Sequence, residues 1–103
     1  PDDFDADELL ALAHRMSDGV ELKTRDLLLK PYRACFRGSD AVAWMVRQGE
    51  AVDDRSAVNL GEALLRAGLI NHVVRKSQRS FADRSKALYR FAFAQLTRFG
   101  ATE

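Results

Sequence analysis

The chain is poor in cysteine, proline and histidine, and it has no long apolar run. Cys35 is its only cysteine, which excludes an internal disulfide and a zinc site built on paired thiolates, and suits a reducing compartment. The longest uninterrupted apolar stretch, Ala41 to Val46, falls far short of the roughly 20 residues that a membrane-spanning helix needs. The start Pro1-Asp2-Asp3 is acidic, the reverse of a secretory leader, and suggests a piece of a longer protein. Neither a linker-like tract nor an internal repeat divides the 103 residues, so one domain is expected over 1–103, with a core over about 7–93 and flanks at 1–6 and 94–103. A hydrophobic share of 47% beside 30% charged residues fits a soluble folded domain and neither a disordered tail nor a membrane protein.

Reactive groups are equally sparse. His14 and His72 are the only histidines; neither sits in an H-E-x-x-H pattern or near a second ligand, so structural or surface roles are expected for both. Gly38-Ser39-Asp40 lacks the second glycine of a nucleophile turn and follows no strong strand. The adjacent Asp53 and Asp54 cannot face one substrate together, whereas a helix start needs such a carboxylate. Gly61 has no phosphate-loop neighbours and is expected to mark close helix packing. Cys35 is expected to be a small buried hydrophobe. These residues predict no enzyme, no metal, no cofactor and no small-molecule substrate.

What is present is a set of helical stripes. Leu9, Leu12, Ala13 and Met16 recur at helical spacing, with Asp5 or Asp7 to cap the start and Gly19 to close the end. Gly38, Ser39 and Asp40 read as the start of a second helix, with Ser39 as its cap, Val42, Met45 and Val46 as its buried stripe and Gly49 as its stop. Ala57, Leu60, Gly61, Leu64 and Leu65 form a third stripe, capped by Asp53 or Asp54 and closed by Gly68. Between the first two helices, 20–36 lacks helical period and reads as irregular or as a hairpin, with Leu27, Leu28 and Leu29 in its middle. Leu69–Val74 and Leu88–Phe93 read as two short antiparallel strands joined by a polar, basic loop pinned at Phe81.

Charge is unevenly spread. Residues 1–21 hold seven acids against Arg15, whereas 75–98 hold seven of the sixteen bases against Asp83. The C-terminal quarter is therefore a candidate anion-binding surface, the bland alternative being an ordinary solvated face.

Three stretches carry a family resemblance. They are "CFRGSDAVAWM" (35–45), "AVNLGEALLRAGLINHV" (57–73) and "FADRSKALYRF" (81–91), and in this order the sequence resembles the DEP domain of dishevelled scaffolds, pleckstrin, regulators of G-protein signalling and GTPase exchange factors. The second and third stretches look most similar to DEP domains of Rac-type exchange factors. A departure is Ala43, where many members carry an acidic residue. The resemblance implies a mainly α, α+β fold: a winged-helix-like three-helix bundle with a β-hairpin arm between helices 1 and 2 and two short C-terminal strands. It also implies a non-catalytic signalling module, cytoplasmic and peripherally membrane-associated, that docks its host on acidic phospholipid or on a receptor tail or other signalling protein.

Carried onto this sequence, the arm tip that would meet a partner is Leu27, Leu28, Leu29 and Lys30. The cationic residues that would meet lipid are Arg66, Arg75, Lys76, Arg79, Arg84 and Lys86. The leucines could equally pack on the core. Ser77 and Ser80 follow basic residues, and a phosphate there would subtract nearly two charges from the patch. Two other readings stay open: a purely protein-interaction or autoregulatory domain in a multidomain GTPase regulator, and a winged-helix DNA reader. Nucleic acid is disfavoured, because the third helix offers only Arg55 and Arg66 as phosphate contacts.

Overall fold

The structure, a computed structural model, describes residues 4–27, 29–73 and 80–92. Seven elements follow in order: α1 (Ala6–Gly19), β1 (Lys23–Leu27), β2 (Lys30–Arg37), α2 (Gly38–Arg47), α3 (Asp54–Arg66), β3 (Ile70–His72) and β4 (Leu88–Phe91). Three helices, an arm and two short strands match the expected α+β fold. The sequence did not reveal that the arm also belongs to the sheet. β2 runs on past the arm and pairs with β4 through Phe36↔Tyr89 and Arg37↔Leu88, giving one antiparallel sheet ordered β1-β2-β4-β3.

The hydrophobic stripes explain how the helices meet. Leu9, Leu12, Ala13 and Met16 of α1 join Val42, Trp44 and Met45 of α2 and Ala57, Leu64 and Leu65 of α3 in one core. Sheet residues close that core from the side. Phe81, Tyr89, Phe36 and Phe91 form a chain of rings with centroids 4.6, 5.8 and 4.7 Å apart, spacings at which aromatic pairs attract beyond their buried area. Burial pushes the Tyr89 phenol above its ordinary range, while its oxygen accepts the Ala82 N–H at 2.7 Å.

Consecutive residues of β2 are buried on opposite faces. Phe36 enters the main core, whereas Cys35 joins Leu88, Val73 and Tyr32 on the far side. Strand alternation accounts for this; just before Cys35 the pairing with β1 shifts between Lys23↔Cys35 and Arg25↔Tyr32, and Ala34 sits there in a left-handed conformation at φ 50°. Cys35 is fully enclosed, as expected, and points its thiol at the Lys23 and Tyr32 carbonyls.

Helix ends follow the sequence in part. Asp5 accepts from the Glu8 amide and Asp53 from the Ser56 amide, as capping requires, and Gly49 and Gly68 take left-handed φ values of 80° and 76° after α2 and α3. Ser39 does not cap α2. The cap position falls on Arg37, with no side-chain hydrogen bond, because the first amides are taken by backbone: Gly38 donates to the Ala87 carbonyl at 2.8 Å and Ser39 to the Arg84 carbonyl at 3.1 Å. α1 ends at Gly19, as expected, and the glycine has a second task, since a Cβ there would run into the Trp44 indole.

Gly61 marks a close approach, but of an aromatic ring rather than of a second helix. A Cβ at Gly61 would fall on the Phe81 ring. Gly61→Ala is therefore expected to destabilise by about 1–3 kcal/mol, the usual cost of overpacking, and to become nearly neutral in a Phe81→Ala background, where the ring is gone. A double-mutant cycle by urea unfolding measures this; additive losses would contradict the contact.

Asp53 gives a pH signature. Its carboxyl is held below the ordinary value of 3.8, chiefly by the hydrogen bond from the Ser56 backbone. A lowered folded pKa means that the stabilisation is complete above the unfolded value and is lost as pH falls through the folded one. Asp53→Asn keeps a capping oxygen, so its stability should depend less on pH across that acidic window than the wild type's, measured by melting temperature.

Candidate functional site

The arm is a two-stranded hairpin whose last described pair is Leu27↔Lys30. Its tip holds Leu29 at φ 66° with the side chain fully exposed, at 101% of its reference area. Lys30 beside it is exposed and Leu27 ends β1, while Leu28 lies outside the described residues. For Leu29 the choice between packing and exposure is settled in favour of exposure.

The basic residues fall into separate neighbourhoods. Arg84 and Lys86 are exposed in the turn between Phe81 and β4. Lys86 lines a groove against the arm with Lys23, Arg25, Asp26, Arg37 and Ser85, with a volume of about 690 Å³. Arg66 is exposed on the last turn of α3 and lines a different, shallower groove with Phe4, Leu9 and Ala63. Arg75, Lys76, Ser77 and Arg79 lie outside the described residues. Ser80 is exposed, and its carbonyl accepts a 2.7 Å hydrogen bond from Nε2 of the buried His72, which fixes that ring's tautomer and gives His72 a structural role.

Lys23, Arg25 and Arg37 were not among the residues singled out from sequence. The signal was the Lys-x-Arg alternation at 23 and 25, which puts both on one face of a strand. It was hidden because the bulge at Ala34 breaks the partner strand's alternation, so the segment shows no clean period. Arg25 is the unexpected member, only 7% exposed. Its Nε donates to the Cys35 carbonyl at 3.3 Å and its Nη2 to the Glu21 carbonyl at 3.4 Å. On β4 Arg90 donates from Nε to the Arg33 carbonyl at 2.9 Å and lies 5.9 Å from the Tyr32 ring centroid, bracing the arm's base.

With the arm, the bundle and the sheet in place, comparison with known proteins decides the family. The family model described as the domain found in Dishevelled, Egl-10, and Pleckstrin (DEP) matches residues 19–91. The chain belongs to the DEP family. Among solved structures, the DEP domain of human pleckstrin superposes with a TM-score of 0.74 at 21% identity, over 89% of this chain and 79% of that one. The DEP domain of mouse pleckstrin2 gives 0.68 at 25% identity, over 84% and 79%.

Among curated relatives, the mouse phosphatidylinositol 3,4,5-trisphosphate-dependent Rac exchanger 1 protein is 39% identical over 79 residues, and the human phosphatidylinositol 3,4,5-trisphosphate-dependent Rac exchanger 2 protein is 37% identical over 75. These alignments cover 76% and 73% of this chain but only 5% and 4% of the exchangers. The vacuolar membrane-associated protein IML1 of Saccharomyces cerevisiae is 33% identical over 73 residues, which is 67% of this chain and 5% of that protein. A DEP domain is a non-catalytic signalling module. Among the described residues of this one, no helix is long and apolar enough to cross a membrane.

Proposed function

We propose that this DEP domain docks its host protein peripherally on the acidic cytoplasmic face of a membrane, with the arm tip as the part that enters the surface. One observation carries the reading: a leucine stands in full solvent at the tip in a left-handed conformation. A non-glycine residue in that region costs roughly 1–2 kcal/mol relative to its usual conformations, and an exposed leucine gains no burial in return. Glycine would suit the turn better. A residue that serves neither the turn nor the core is explained by something outside the domain.

The energies fit a reversible contact. Each methylene buried in a bilayer contributes about 0.8 kcal/mol, and each lysine or arginine near an anionic leaflet about 1 kcal/mol. Lys30 accompanies Leu29 directly, and Lys86 and Arg84 lie on the turn that flanks the arm's base. Arg66 faces another groove and is not summed with them. Arg75, Lys76 and Arg79 would add to the same attraction, which weakens with salt. Phosphate on Ser77 or Ser80 would oppose it. A receptor tail or a domain of the host is the alternative occupant of the same tip.

The test separates fold from function at one residue. Leu29→Gly removes the strained conformation but frees the unfolded chain by about 0.5–1 kcal/mol, so stability should stay within about 1 kcal/mol of wild type. Sedimentation with phosphatidylserine-containing vesicles should nevertheless fall severalfold, and Leu29→Asp should reduce it further. Equal binding to neutral and acidic vesicles, or undiminished binding by Leu29→Asp, would overturn the membrane reading.

A further inference from the structure

The groove between the arm and the turn before β4 contains a buried cation whose donors are not all used. A guanidinium carries five N–H donors in a planar fork. In Arg25, Nε and Nη2 each reach one backbone carbonyl, while Nη1 is buried and has no hydrogen-bond partner among the described residues. Leaving a buried charged donor unpaired is costly, so the position calls for an acceptor. The neighbouring carboxylates answer it weakly. Glu21 and Asp40 both stand 3.9 Å from Nη2, at the outer limit of an ion pair, and their side chains are 65% and 40% exposed.

The surroundings point to an anion of more than one charge. Lys23, Arg37 and Lys86 line the same groove as Arg25, against a single lining carboxylate, Asp26, and Ser85 adds a hydroxyl. Three chain segments supply these groups, β1, the end of β2 at Arg37 and the turn before β4, and all are fixed. β1 is held by its pairing with β2, and the 84–87 turn is fastened to the first two amides of α2. The volume falls in the usual range for small-ligand sites. An arginine fork that can bind two oxygens together, with lysines as point charges beside it, is the arrangement that recognises phosphate.

We propose that this groove is a binding site for a phosphomonoester, with Arg25 as the buried fork and Lys23, Arg37 and Lys86 as its cationic rim. The phosphate belongs either to a lipid headgroup or to a small soluble metabolite. The site shares only Lys86 with the docking reading above and does not require a bilayer.

The 103-residue chain is titrated with soluble inositol trisphosphate and followed by amide chemical shifts. Saturable changes are expected at Lys23–Asp26, Arg37 and Ser85–Leu88. The double variant Lys23→Glu with Lys86→Glu, both exposed positions, should weaken binding by about tenfold or more, since each reversal replaces a charge-assisted contact with repulsion. Ser85→Glu, which puts a carboxylate in the groove, should also weaken it, and Arg66→Glu should not. Because Arg25 is buried, it is tested as Arg25→Lys, which keeps the charge and loses the fork, with melting temperature recorded beside affinity.

Vesicles containing phosphatidylinositol bisphosphate, compared with phosphatidylserine vesicles of equal charge, identify the source. A preference lost in the Lys23→Glu, Lys86→Glu variant supports a lipid headgroup. Soluble binding without any vesicle binding supports a metabolite and overturns the membrane reading alone. Shifts that never saturate, or that spread over every basic residue, or affinity unchanged in the double variant, would overturn the groove whatever the vesicles do.

Discussion

The crossing of the 81–88 segment over the start of α2 is the constraint on which the other features depend. Gly38 lies so close beneath the Ala82 carbonyl that a Cβ would occupy the same space, and its amide and that of Ser39 are spent on the Ala87 and Arg84 carbonyls. An unpaired helix N-terminus needs acceptors; here the following loop supplies them, so one set of bonds both starts the helix and fixes the loop. Phe81 anchors the same segment at its other end by lying on Gly61 of α3 and stacking on Tyr89. Two glycines on two helices therefore hold one loop.

This fastening determines what the surface can present. Arg37, the last residue of β2, precedes Gly38 directly, so the arm leaves the bundle from the point where the loop is tied down. The arm and the 84–87 turn are thereby placed side by side, with the cationic groove between them and the leucine tip beyond it. No cluster of reactive groups is needed for such a module, and the polar chemistry goes into placing cations and an apolar tip on a rigid frame.

The three helical stripes were legible because burial imposes a 3.6-residue period on long segments, and Asp53, Gly49 and Gly68 were legible because caps and left-handed stops require particular residue types. Ser39 misled for a physical reason: it has the right chemistry for a cap, but backbone carbonyls more than 40 residues away reach the amides first. Gly61 was recognisable as a close contact while its partner was not, since Phe81 is distant in sequence. The β2–β4 pairing rests on two residue pairs, too few to leave a pattern. Arg25 was the least legible of all. A charged residue in a segment without period reads as solvent-exposed, and only the structure shows it buried with its guanidinium on the Cys35 and Glu21 carbonyls.

If the loop fastening is the constraint that fixes the arm, the Gly38 and Ser39 amides should open only when the whole domain unfolds. Native-state hydrogen exchange of these two amides measures this directly. The structure predicts exchange free energies and denaturant slopes equal to those of core amides such as Leu64 and Met45. Exchange of Gly38 and Ser39 through a low-energy local opening, while the core stays protected, would contradict a rigidly placed arm.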